Sequence, residues 1–163
     1  MNEPNAPIFF NSPTDGRLSW DEVFSRMVRY MGMNTEADYE VIIGTDSEAK
    51  NGSANFVSAI IVRRLGNGGI YFWSREAKDN IYSLNQRMQL EALNSLAIAE
   101  KVTKEFAIMG LAGLNLGIHL DIGPNGPTKD LISELEGMIK ANGYTVATKP
   151  FAWAASHVAD RHV

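Results

Sequence analysis

No cysteine occurs among the 163 residues, which excludes disulfides, thiolate zinc sites and cysteine nucleophiles. No run of about 18 apolar residues is present, so the sequence carries no signature of a membrane-spanning helix. Residues 1–7 lack the charged-then-apolar order of a secretory signal, and a cytoplasmic location is the expectation. Internal repeats and low-complexity tracts are missing, as is the glycine-rich loop of the P-loop type that cradles phosphates. Positive charge is also in short supply. The 15 Lys and Arg are outnumbered by 19 Asp and Glu, for a formal net charge of −4. A basic domain is the usual footprint of a nucleic-acid binder, so total charge by itself argues against that class.

What is present reads as one ordinary globular unit. Apolar residues make up 45% and charged residues 21%, close to globular averages, and the chain is long enough to bury a core without staples. Residues 1–15, with Pro4, Pro7 and Pro13, read as an extended arm in front of a single domain at 16–163. Ser19 and Glu22 fit a capping box, and Trp20, Phe24, Val28 and Met31 follow at helical spacing. Three strand-like runs come next, at 39–45, 56–62 and 70–73. The turn signals Asn51-Gly52 and Gly66-Asn67-Gly68-Gly69 between them predict an antiparallel meander. A long helix at 83–106, a strand at 114–121, a helix at 128–140, a short strand at 144–148 and a last helix at 152–161 complete the chain. The expected architecture is α/β: a mixed five-stranded sheet with flanking helices and an added N-terminal helix.

Four acids stand out by position. Asp46 is placed at the end of the first strand, where either ligand binding or a local turn explains it. Glu91 lies within the apolar stripe Leu84, Met88, Ser95 and Ile98 of its helix. An inward carboxylate must be ion-paired, protonated or bound to a cation; Arg87 or a strand arginine is the candidate ion-pair partner. Asp121 ends the fourth strand in His119-Leu120-Asp121-Ile122-Gly123, and it shares an edge with Asp46 if those two strands are parallel neighbours. Asp160 falls in the last helix, where a solvated helical charge is the plain alternative. Carboxylates gathered at one edge repel unless cations neutralise them, and hard oxygen donors select Mg²⁺ or Mn²⁺.

The order of elements and acids resembles the ribonuclease H-like fold. Several segments narrow the likeness to the YkuK-like family of small bacterial proteins: 41–47 (VIIGTDS), 119–123 (HLDIG), 128–132 (TKDLI), Lys149-Pro150, 154–156 (AAS) and 158–162 (VADRH). The similarity runs from about Leu18 to the C-terminus. It implies that Asp46 bridges two divalent ions, with Glu91 and Asp121 completing one ion site and Asp160 the other. It further implies hydrolysis of RNA or DNA phosphodiesters by a two-metal-ion mechanism, leaving a 5′-phosphate. Relatives tend to carry Gln where this chain has Glu48, an extra acid that adds a ligand or repels phosphate.

Thr45, Ser47, Lys149, His157 and Arg161 are the candidate substrate contacts, and Trp73, Tyr82, Phe151 and Trp153 are available for base stacking or for the core. A Ser156/His157/Asp160 triad is ruled out at its first link, because neighbours in a helix do not face each other. His119 alternates with Asp121 and either lines the site or sits satisfied in the core. Two other classes compete with the nuclease reading. One is a module that keeps the fold and binds nucleic acid or protein without turnover. The other is an assembly protein that oligomerises through Trp20, Phe24 and the Phe9-Phe10 arm.

Overall fold

The computed structural model describes residues 7–111 and 113–162, and the main chain alone at Ala154, Ala155, Ala159 and Asp160. Its elements, in chain order, are β1 (Phe10–Ser12), β2 (Gly16–Leu18), α1 (Trp20–Gly32), β3 (Tyr39–Lys50), β4 (Ser53–Arg64), β5 (Gly69–Asp79), α2 (Leu84–Ile108), β6 (Asn115–His119), a 3-10 turn (Lys129–Leu131), α3 (Ile132–Ala141), β7 (Thr145–Ala147) and α4 (Ala154–His162). The strands form one mixed sheet in the order β2-β1-β5-β4-β3-β6-β7.

Seven strands replace the expected five. The two extra ones come from a stretch assigned largely to the arm: β1 and β2 form a short antiparallel hairpin, and β1 joins the sheet through Asn11 opposite Trp73. Phe10 and Leu18 point into the core at 1% and 5% exposure, and this burial holds the hairpin against the sheet. The expected helix at 128–140 is divided into a 3-10 turn and α3.

Local chemistry accounts for the elements that position the site. Ser19 and Glu22 form the reciprocal cap of α1, the Ser19 N–H donating to Glu22 at 2.7 Å. Asn51 and Gly52 both take left-handed backbone (φ 53° and 80°), the requirement of a two-residue hairpin turn. The β3–β4 ladder therefore runs unbroken from Tyr39 opposite Arg64 to Lys50 opposite Ser53. As a result Asp46 lies inside β3 rather than at its end. The edge of β6 is what stops short: its parallel pairing with β3 ends at Gly44 opposite His119.

Alternation gives the sheet two faces. On one, Val41, Ile43, Ile60, Val62 and Ile118 pack with Ala92, Leu96, Ala99, Val102 and Phe106 of α2 and with Leu135 and Ile139 of α3. Phe24 of α1 meets Phe106 edge-on at 4.9 Å, and Phe10 meets Trp20 at 5.9 Å. Phe10, Trp20 and Phe24, which the assembly reading needs at a surface, are thus engaged within the chain. Across the other face lies α4, which contacts β3 and β4 and stacks His162 on Trp73 of β5 at 3.7 Å. No helix among the described residues is long and apolar enough to cross a membrane.

Candidate active site

The β3–β6 register fixes two of the four acids. Asp46 and Asp121 each stand two residues beyond the last parallel pair, Gly44 and His119. Both share the face of α4 by strand alternation. The half-buried Asp46 accepts the Ser47 N–H on Oδ1 at 2.8 Å. Glu48, two further on, shares the face of Asp46 and is exposed.

Glu91 approaches from the opposite side. It is 2% exposed on α2, and its Oε1 accepts the Ser47 hydroxyl at 2.5 Å. Burial pushes the Glu91 carboxyl up to about 8. The Ser47 hydrogen bond and the Arg87 charge oppose that rise, while the charges of Asp46 and Asp121 add to it. The charges of Asp46 on β3 and of Asp121 just beyond β6 thus both bear on Glu91 of α2. The buried salt bridge with Arg87 that the sequence allowed is replaced by a hydroxyl, and the Arg87 guanidinium donates to the Ser47 carbonyl at 3.2 Å.

Beneath them lies a chain of buried hydroxyls. Thr45 and Ser58 share a hydrogen bond at 2.8 Å, and Ser95 donates both to Thr45 Oγ1 (3.0 Å) and to the Glu91 carbonyl (2.9 Å). The network locks β3, β4 and α2 together at the level of Glu91. It also engages Thr45, at 1% exposure, inside the fold. The signal for it was a serine four residues after Glu91 in an otherwise apolar stripe.

Lys149 places a positive charge on Asp121. Its N–H donates to the Ile122 carbonyl at 2.7 Å, which lays the chain after β7 beside the end of β6. At Gly123 a Cβ would stand 3.2 Å from Lys149 Cβ, so the bare backbone there admits the lysine stem. Lys149 Nζ then lies 2.9 Å from Asp121 Oδ1, an ion pair by distance without the alignment of a hydrogen bond.

The ribonuclease H-like family matches residues 22–163. The chain belongs to the ribonuclease H-like family. It is also 28% identical, over 94% of its length and 95% of the relative's, to the uncharacterized protein YkuK of Bacillus subtilis (strain 168). No solved structure matches it.

Divalent ions are common in ribonuclease H-like folds, and the donor chemistry of this member suits them. Carboxylate oxygens are hard ligands, and a buried carboxyl raised by desolvation and by two like charges is a group that a cation stabilises. Among the described residues, no three Asp, Glu or His groups stand close enough together to hold an ion as they are arranged. Asp46 and Asp121 rise on the α4 face, whereas Glu91 reaches Ser47 from the α2 face. The Asp160 side chain lies outside the described residues.

The remaining candidates separate into two groups. Ser47 and Lys149 touch the acids themselves. His157 and Arg161 line a cleft elsewhere on α4. His119 is 8% exposed, accepts the Trp153 backbone N–H on Nδ1 at 3.4 Å and packs edge-on against the Trp153 indole, so it seats the start of α4. Burial holds its imidazole below the usual histidine range, Arg63 lowering it further and Glu40 opposing. Ser156 donates to the Trp153 carbonyl at 3.2 Å, a local helical bond that leaves no serine relay.

Proposed function

We propose that this ribonuclease H-like chain is a metal-dependent nuclease that hydrolyses phosphodiester bonds of RNA or DNA. The observation that carries the reading is Glu91: a buried carboxyl, raised by burial and by the charges of Asp46 in β3 and Asp121 just beyond β6, near the point where parallel strands β3 and β6 part. As the resemblance implies, Asp46, Glu91, Asp121 and Asp160 would hold the Mg²⁺ or Mn²⁺, which requires the acids to draw closer than they stand here. Two such ions, when bound, supply an activated water and neutralise the charge that develops on the leaving oxygen. Ser47 fixes the Glu91 carboxylate through its hydroxyl, and Arg87 holds the Ser47 backbone in place. Lys149, about half exposed, is within reach of an incoming phosphate once a cation competes for Asp121. The formal excess of four negative charges equals the four acids, so two divalent ions would leave the whole molecule neutral.

A cleavage panel tests this: single-stranded RNA, RNA–DNA hybrid, single-stranded DNA and a branched junction, each with Mg²⁺ or Mn²⁺. The expected result is cleavage of at least one substrate to 5′-phosphate ends, stopped by chelation. Asp46→Asn should keep the circular dichroism of the parent and lose more than about a hundredfold in rate, the upper end for groups that merely support metal ligands. Full activity in that variant refutes the assignment. The Lys149–Asp121 ion pair favours a second reading, a nucleic-acid- or protein-binding module without turnover, because an ammonium already neutralises one of the acids. Mn²⁺ binding by calorimetry with no cleavage anywhere in the panel would select that module.

A further inference from the structure

A cleft of about 470 Å³ opens on the α4 face, between α4 and the β4–β5 hairpin. Its walls include the apolar residues Ile61, Ile70 and Val158. Two aromatic residues, Tyr71 and Trp153, also line it, and Trp153 is 37% exposed. Three arginines complete the lining: Arg63, Arg64 and Arg161. Glu40 neutralises Arg63 at 2.8 Å, while Arg64 and Arg161 have no ion pair among the described residues. The Nε atoms of Arg63 and Arg64 are buried and meet no acceptor there. Buried donors in that state cost free energy until an acceptor is found. The Arg63 guanidinium already lies over the Trp153 ring at 5.4 Å, so this indole is used as a stacking platform for a planar cation.

An apolar, aromatic wall with unneutralised guanidinium groups suits a ligand whose flat body carries anionic links. We infer that the cleft holds a single-stranded segment of nucleic acid, a base on Trp153 and phosphates on Arg64 and Arg161. Arg63 pairs across the sheet with Glu40, six residues before Asp46 in β3, which sets the cleft about 20 Å along the strand from the acids. The segment held here is therefore several nucleotides from the bond that reacts. This local positive site also answers the charge objection, because a chain with net charge −4 can grip a polyanion at one place without long-range attraction. The inference deepens the nuclease reading by locating the strand, and it is tested without cleavage.

The probes are 5′-fluorescein 12-mers of uridylate and of thymidylate, titrated with the full chain in EDTA and read by fluorescence anisotropy. Arg64→Gln with Arg161→Gln should flatten the dependence of log affinity on log salt by about 1.4, at about 0.7 per phosphate contact on single strands. Trp153→Ala should weaken binding roughly tenfold, within the range for loss of one stacked base. Salt slope and affinity unchanged in the double arginine variant would overturn the inference, as would failure of the parent to bind either oligomer. If the double arginine variant folds but Trp153→Ala does not, the two arginines alone decide. Binding that depends on the cleft, with no cleavage in the metal-containing panel, keeps the cleft and removes the nuclease.

Discussion

Replacing Glu91 by Gln separates electrostatic strain from catalysis. With its carboxyl raised from 4.5 to about 8, the folded chain holds a proton on Glu91 that the unfolded chain has already released between those pH values. Stability is therefore full below about pH 4.5, falls as the pH rises, and levels off above about pH 8. A pKa raised by one corresponds to about 1.4 kcal/mol, so the whole span amounts to at most about 5 kcal/mol. The slice from pH 5.5 to 8 amounts to about 3 kcal/mol. Gln is nearly isosteric, keeps an oxygen to accept the Ser47 hydroxyl, and does not titrate. In metal-free buffer, Glu91→Gln should match the parent near pH 5 and exceed it by about 3 kcal/mol near pH 8. That difference is roughly 6–12 °C in melting temperature for a chain of this size. Urea titrations at half-unit pH intervals in EDTA measure it, and subtracting the two curves cancels the titrating groups that do not interact with Glu91. Saturating Mn²⁺ should raise the parent and close the gap, while Glu91→Gln gains little. Parallel curves across the whole pH range would show that Glu91 is not a desolvated carboxyl, and the case for a cation beside it would go with that result.

Two further outcomes follow from the same neighbourhood. Lys149→Met removes the ammonium from Asp121, so calorimetry should show Mn²⁺ binding at least as tight as in the parent while cleavage slows; weaker metal binding would mean that Lys149 supports the acids rather than competing at them. Ser95→Ala deletes the donor that ties Thr45 to the Glu91 carbonyl, and denaturant unfolding should report a loss of about 1–3 kcal/mol.

Much of this arrangement was legible in sequence because its causes are local. Ser19 with Glu22, and Asn51 with Gly52, carry their structures in side-chain and backbone chemistry a few residues long. The inward position of Glu91 followed from helical periodicity alone, and the common sheet edge of Asp46 and Asp121 from one assumption, that their strands are parallel neighbours, which the register bears out. What escaped was set by contacts distant in sequence. β1 and β2 are three residues each, too short for a period of two to register, and Phe10 and Leu18 are their visible anchors. Lys149 meets Asp121 only because the backbone after β7 pairs with Ile122. The extent of β3 past Asp46 depended on how far β4 would follow it, which the turn permits but does not dictate.

The overhang of β3 has a bearing on association between chains. From Thr45 to Lys50 the strand is bonded to β4 on one side, while β6 has already ended on the other. A strand border that no other strand covers is a template on which a second polypeptide can dock and seed aggregation. Here that border carries Glu48 and Lys50, both exposed, and a stranger's backbone would have to approach alternating charges. The charge of Glu48 thereby has a physical effect unrelated to phosphate: it disfavours the docking of another copy's strand on this margin of the sheet.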